Sequence, residues 1–509
     1  MIIMTNTSIF PRDFLWGISM AAFQYEMGAS TESIDRNSDW YVWLHDEKNI
    51  SNNTVSGDFP ENGPGYWDLF RLDHKLGSWL GLKAWRLNPE WSRIFPNPTK
   101  DVKVTVHKDD EGIKDIEITE QSLIKLDKIA NKKAVEHYMK IFRDIKGRGI
   151  KLILNLYHWP LPLWIHDPIK VRDTNLREGP KGWVDEKTVV EFTKFAAYIA
   201  WKFGDLVDMW STFNEPNVTY TLGYTGSSFP PGIKNYEGMI QAAINMIQTH
   251  ARSYDQIKRI LGKDTKVGLI YATAPAEPID QEQENLEAAN RANYIFNIWF
   301  FRAVIDGELD LSFTSSSNNH VLKRKDLKNK VDWIGVNYYT RNVVKKSEEL
   351  GGFSSVPGYG FSCKPNTFSK ANRPVTDNGW EIYPEGIRKA LNIYSRYGKP
   401  LAITENGAAD AIDRYRPWLL IATLHHVNKA IKEDNLNVFG YFHWSLLDNL
   451  EWAMGYKMRF GLFYVNMKTK ERTPRPSAFI YKNIIEENGI SSFLTEYTRI
   501  PNFLIGKIE

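Results

Sequence analysis

Two acidic motifs stand out by residue type and position: Thr212-Phe213-Asn214-Glu215-Pro216 and Ile403-Thr404-Glu405-Asn406-Gly407, each setting one glutamate directly after an apolar run. Two carboxylates carried on distant strand ends and brought together by folding are what glycosidic bond cleavage needs. One protonates the leaving oxygen while the other attacks the sugar or activates water. Other polar residues close apolar runs in the same way: Arg86 and Asn88, His158 and Trp159, Asn337 to Tyr339, and His443-Trp444. Taken alone, a glutamate among 61 acidic residues reads as a solvated surface charge, and a lone histidine after a strand as a satisfied structural group. Several polar side chains gathered at one rim need partners, and a polar ligand supplies them.

The elements that must hold these residues follow from periodicity. Eight β-branched or aromatic runs are predicted as strands: Phe14–Ile18, Ala84–Asn88, Lys151–Tyr157, Asp208–Asn214, Val267–Ala272, Val331–Asn337, Leu401–Thr404 and Val438–His443. Between them Val190–Phe203, Tyr236–Leu261, Glu282–Ile305, Pro384–Tyr397 and Arg416–Glu433 carry apolar residues at helical spacing. Strands alternating with helices imply a parallel sheet. With no composition break or linker, the expectation is one α/β domain over 1–509, a single (β/α)8 TIM barrel with insertions in its βα loops; two α/β domains are the alternative. The insertions are expected near 99–133, which is charged, and 345–378, which is rich in Gly, Ser and Pro. The tail from Thr495 is too short for another domain. In this barrel Glu215 ends strand four and Glu405 strand seven, across the mouth from each other at the C-terminal face where reactive groups gather.

Composition narrows the class. Hydrophobic residues make up 42% and charged residues 25%, proportions of a globular chain able to bury a large core. The balance of 64 Lys and Arg against 61 Asp and Glu leaves a net charge of +3 with no concentrated basic patch, so no nucleic-acid partner is expected. The single cysteine, Cys363, forms no intrachain disulfide and has no ligand partner at metal spacing, which fits a reducing compartment and a cytoplasmic location. Met1–Met4 is apolar too briefly for a signal-peptide core, and no run approaches the roughly 18 apolar residues of a membrane span. His425-His426 gives no two-ligand helix face and Gly358-Tyr359-Gly360 lacks the third glycine of a dinucleotide loop, so neither metal nor cofactor is expected. Aromatic residues reach 13% with 18 Trp; most are core, but indole faces also stack on the C–H faces of sugars.

In chain order, Phe14-Leu15-Trp16-Gly17, Ala22-Phe23-Gln24-Tyr25-Glu26, Arg86-Leu87-Asn88-Pro89-Glu90-Trp91-Ser92-Arg93-Ile94, Tyr157-His158-Trp159, Asn214-Glu215-Pro216, Gly335-Val336-Asn337-Tyr338-Tyr339, Thr404-Glu405-Asn406-Gly407, His443-Trp444-Ser445-Leu446, Asp448-Asn449 and Glu451-Trp452 resemble a family 1 β-glycosidase, and specifically its thermophilic archaeal branch. The resemblance runs nearly end to end, and so many ordered motifs are specific where Asn-Glu-Pro alone would be weak. It implies a retaining exo-enzyme acting on terminal β-D-glucosyl or β-D-galactosyl residues, with Glu215 as acid/base and Glu405 as nucleophile. Carboxyl groups about 5–5.5 Å apart are then expected. It further implies that Arg86 and Tyr339 hold the nucleophile, that Asn214 binds the sugar 2-hydroxyl, and that Gln24, His158, Trp159, Asn337, Trp444, Glu451 and Trp452 surround the non-reducing sugar.

The chain departs from the wider family at Pro160, where Asp usually follows His-Trp; the archaeal branch shares the proline, so activity is expected to survive. Members acting on 6-phosphorylated sugars carry Ser where this chain has Glu451, and Lys and Tyr where Met458 and Phe460 stand. A carboxylate repels phosphate, so neutral β-linked mono-, di- or oligosaccharides and aryl glycosides are the expected substrates. Asn-rich composition and several Asn-Gly pairs are not what extreme heat tolerance selects. Relatives in the branch form homo-oligomers, commonly tetramers. A transglycosylase sharing the ester intermediate and a non-catalytic sugar-binding protein are the alternatives; the second usually loses a catalytic carboxylate, and here both remain.

Overall fold

The computed structural model describes residues 8–312, 320–349 and 351–494; the Met1–Met4 run and the tail from Thr495 lie outside them. Eight parallel strands close into a barrel: β1 Leu15–Ser19, β2 Ala84–Leu87, β3 Lys151–Tyr157, β4 Met209–Asn214, β5 Val267–Ala272, β6 Trp333–Asn337, β7 Leu401–Glu405 and β8 Val438–His443. Each strand pairs with the next in sequence, and β8 pairs with β1. All eight predicted strands are found, displaced by at most two residues at an end.

Period two along each strand sorts the barrel interior into layers. One apolar cluster takes Ala84 from β2, Ile153 from β3, Ile270 from β5, Trp333 from β6, Ala402 from β7 and Phe442 from β8. Two residues further along the same strands stand Arg86, Asn155 and Thr404, and four beyond Trp333 stands Asn337, all buried. The apolar layer seals the bottom and the polar layer faces the mouth, as the fold requires. The close fit needs glycine: a Cβ on Gly17 of β1 would collide with the Phe442 ring.

Helices α1 Tyr66–Leu80, α2 Lys132–Gly147, α3 Glu186–Phe203 and α4 Tyr236–Leu261 follow the first four strands, and α5 begins at Gln283–Asn293 after β5. Helices α6 Gly386–Ser395, α7 Arg416–Lys432 and α8 Pro476–Glu487 follow β6, β7 and β8. The helix predicted over Glu282–Ile305 widens into π turns at Tyr294–Ile298 and Arg302–Asp306, which a 3.6-residue pattern does not reveal. Between β2 and α2 the chain forms an antiparallel hairpin, Thr105–Asp109 with Gly112–Glu117, and a helix, Glu120–Ile129. After β6, Asn342–Lys346 and Phe353–Ser355 join Ala276–Pro278 in a three-stranded sheet beside the mouth.

Candidate active site

The site is built where β6 and β7 end together. Their register slips between Val336 and Asn337, so that Asn337 lies opposite Glu405; the β4–β5 register slips likewise between Ser211 and Asn214. Such irregularities re-aim side chains at a barrel rim. Arg86, fully buried on β2, donates from Nη1 to Glu405 Oε1 (2.6 Å) and from Nη2 to Asn214 Oδ1 (2.6 Å). Tyr339 donates its hydroxyl to the other carboxylate oxygen, Glu405 Oε2 (2.8 Å). Glu405 thus meets a cation on one oxygen and a phenol on the other, which favours its charged form.

Glu215 has a different environment. It adopts a left-handed backbone conformation (φ 49°, ψ 56°) between β4 and the helix Pro216–Tyr224. Proline at 216 disfavours right-handed helical geometry at 215, and the Glu215 amide is tied to the Ile270 carbonyl (2.9 Å). A non-glycine residue in this region costs of order 1–3 kcal/mol and persists where neighbours hold it. Its carboxylate accepts one side-chain bond, from Asn337 Nδ2 to Oε1 (2.8 Å). The same Nδ2 reaches Asn214 Oδ1 (2.9 Å), and Thr404 Oγ1 donates to Asn337 Oδ1 (2.7 Å). A continuous chain, Glu405–Arg86–Asn214–Asn337–Glu215, therefore links the two acids.

Burial, followed by the nearby Glu405 charge, pushes the Glu215 carboxyl from its ordinary 4.5 up to about 8. Burial also raises Glu405, but the Arg86 charge and hydrogen bond and the Tyr339 bond pull it back. With one proton between them, the pair keeps it on Glu215, because the Arg86 cation bonds to Glu405. Burial and the Arg86 charge hold His158 well below the usual imidazole range, hence neutral. Its Nε2 accepts from Asn214 Nδ2 (3.0 Å).

The remaining expected residues surround this pair. Gln24 donates from Nε2 to Asn449 Oδ1 (3.0 Å), the Leu450 carbonyl (2.7 Å) and Glu451 Oε2 (3.4 Å). Burial and the Glu405 charge push Glu451 up to about 8. Trp444 stacks beside the His158 ring (5.8 Å), and Trp452 packs on Trp159 (4.5 Å) and Trp40 (4.6 Å). Gln24 Oε1, His158 Nδ1 and Trp159 Nε1 are buried without a partner among the described residues, groups that sugar hydroxyls would satisfy. Asn337, expected among the sugar contacts, bonds through its carboxamide to Glu215, Asn214 and Thr404.

Three contributors were not singled out from sequence. Ser19, at the end of β1, accepts from Arg86 Nη1 (3.2 Å) and obeys the same strand-end rule that marked the others. Thr404 stands inside the second acidic motif, directly before Glu405. Trp40 sits on a short helix after β1 with no periodic signal that would bring it to the mouth. Gly407, in the second acidic motif, lets the β7 and β8 loops touch: a Cβ there would overlap the Trp444 carbonyl oxygen. Among the described residues no cluster of His, Cys, Asp and Glu is arranged to hold a metal, and no helix is long and apolar enough to cross a membrane.

The model of glycosyl hydrolase family 1 matches residues 6–105 and 127–490. The chain belongs to glycosyl hydrolase family 1. The unmatched stretch between the two segments covers most of the hairpin after β2. A β-galactosidase of Saccharolobus solfataricus is 47% identical over 97% of this chain and 98% of its own length. A β-glucosidase A of Thermotoga maritima is 29% identical over 95% and 99%. Among solved structures, the β-glycosidase of Thermosphaera aggregans superposes with a TM-score of 0.91 at 46% identity, covering 97% of this chain and all of that one. This family 1 member is a glycoside hydrolase, a β-glycosidase on a (β/α)8 barrel.

Proposed function

We propose that the enzyme is a retaining exo-β-glycosidase that removes terminal β-D-glucosyl or β-D-galactosyl residues from neutral sugars and aryl glycosides. The supporting observation is the unequal environment of the two acids: Glu405 bonded to Arg86 and Tyr339, Glu215 bonded to neutral Asn337. In the first half-reaction Glu405 attacks the anomeric carbon while Glu215 passes its proton to the leaving oxygen, giving a glycosyl ester. The ester removes the Glu405 charge, Glu215 ionises more readily, and it takes a proton from the water that releases the sugar. Asn214 faces the reaction between Arg86 and Asn337, where a 2-hydroxyl contact gains strength as charge develops.

Gln24 and Glu451 would read the hydroxyls at the far edge of the ring, with Trp444, Trp452 and Trp159 as walls. Glu451 with Met458 and Phe460 offers a 6-phosphate no cation, so phosphorylated sugars are excluded. Solved relatives include one described as derived from a tetrameric β-glucosidase; we take this chain to form a homo-oligomer, checked by light scattering, and to work in the cytoplasm. The test is turnover of nitrophenyl β-glucoside, galactoside, mannoside, fucoside and their 6-phosphates by wild type, Glu405→Ala and Glu215→Ala, with NMR of the first-formed sugar. Near-normal turnover by Glu405→Ala, or an inverted product, would sink the mechanism.

A further inference from the structure

Trp159 stands on the wall of the site in a conformation that its own sequence opposes. Its φ is 87°, in the left-handed half of the map, and it precedes Pro160, which steers the residue before it toward extended geometry. A bulky side chain stays there only where the surroundings over-determine the backbone. Ring packing on several neighbours holds the side chain. Trp159 packs on Phe229 (5.0 Å) and Trp452 (4.5 Å), and with Trp40, His166 and Thr219 it lines a small cavity.

A backbone tie close to Trp159 comes from Asp39. This buried carboxylate, at the start of the helix Asp39–His45, accepts at Oδ1 from the Leu161 amide (2.9 Å) and the Trp40 amide (2.7 Å). Its own amide donates to the Leu161 carbonyl (2.8 Å). Asp39 Oδ2 pairs with His166 Nδ1 (2.7 Å), which fixes the rotamer of the carboxylate. One side chain therefore clasps the chain two residues beyond Trp159 to the helix that carries Trp40, and Trp40 and Trp159 both pack on Trp452. We propose that Asp39, oriented by His166, is a positioning residue that sets the aromatic wall Trp40–Trp159–Trp452 of the sugar site. The proposal rests on the reading that Trp159 contacts substrate. A buried acid whose only purpose was fold stability would leave substrate affinity unchanged in enzyme that remains folded.

The test compares Asp39→Ala, Asp39→Asn and Trp159→Ala in steady-state kinetics with nitrophenyl β-glucoside and in inhibition by deoxynojirimycin. Asp39→Ala should raise KM and Ki about tenfold with kcat within about threefold of wild type, the pattern of lost ground-state positioning. Asn keeps the oxygen that accepts both amides, so Asp39→Asn should stay within about threefold of wild type in all three constants. If Asp39→Ala does not fold, Asp39→Ser takes its place with the same expectation, since its hydroxyl is too short to reach Leu161. Unchanged KM and Ki in folded Asp39→Ala or Asp39→Ser, against raised values in Trp159→Ala, would overturn the clamp alone. Unchanged values in Trp159→Ala would overturn it through the reading beneath it. A fall confined to kcat, or equal losses in Asp39→Asn and Asp39→Ala, would also reject it.

Discussion

Removing the Arg86 charge should cripple the enzyme in a way that identifies Glu405 as the group it serves. Arg86 is fully buried, its partner Glu405 nearly so, and the bond between them is 2.6 Å. Breaking a buried pair by deleting one partner costs about 3–5 kcal/mol because the other charge is left without compensation. If that cost falls on the ionised nucleophile, Arg86→Gln loses about 10²–10⁴-fold in kcat/KM. Arg86→Lys keeps the charge but one ammonium cannot span Glu405 and Asn214 as the guanidinium does; one charged bond lost, about 1.5–3 kcal/mol, gives about 10–150-fold. The sign of the pH effect follows from the same contact. Arg86 pulls the Glu405 carboxyl down against burial, so its removal lets that value rise, and the acid limb of kcat/KM moves to higher pH in Arg86→Gln but little in Arg86→Lys. The assay is kcat/KM for nitrophenyl β-glucoside from pH 4 to 9. A Gln variant within tenfold of wild type, or one with an unmoved acid limb, would refute the assignment.

Trapping Glu405 as an ester with an aryl 2-deoxy-2-fluoroglucoside should lower the Glu215 value from about 8; a unit charge about 5 Å away at an effective dielectric near 20 is worth about 3 kcal/mol, or two pH units. Carbon-13 NMR of labelled glutamate reads this, and no movement would mean burial alone perturbs Glu215. The Glu215 carboxyl lies above its unfolded value, so its contribution to stability is complete below about pH 4.5 and is lost as pH rises through about 8. Glu215→Gln should therefore denature at higher temperature than wild type at pH 9, with a smaller difference at pH 5; an equal gain at both would contradict the linkage. Gly407→Ala should lower kcat/KM by at least about tenfold, since the methyl must displace the Trp444 carbonyl and with it both loops of the site. Near-native activity would show that the loops yield without disturbing Glu405.

The strands, the barrel and the position of the two glutamates at strand ends were legible in the sequence because each depends on neighbours in the chain. Apolar runs of period two mark a strand, and a polar residue closing such a run marks a rim. The division of labour between the acids also needs their partners, and these are remote: Arg86 and Glu405 are 319 positions apart. No local pattern places a guanidinium on one carboxylate and a carboxamide on the other. The motif resemblance supplied that expectation from outside the chain's own periodicity, and the folded geometry gave it distances. The register slip that sets Asn337 opposite Glu405 is settled by hydrogen bonding between strands, and the Asn337 side chain there bonds to Glu215. Nothing adjacent to Trp40 and Asp39 in sequence encodes their meeting with Trp159 and Leu161. The sequence determined which residues reach the barrel mouth; closure of the barrel decided which of them touch, and so which glutamate keeps the proton.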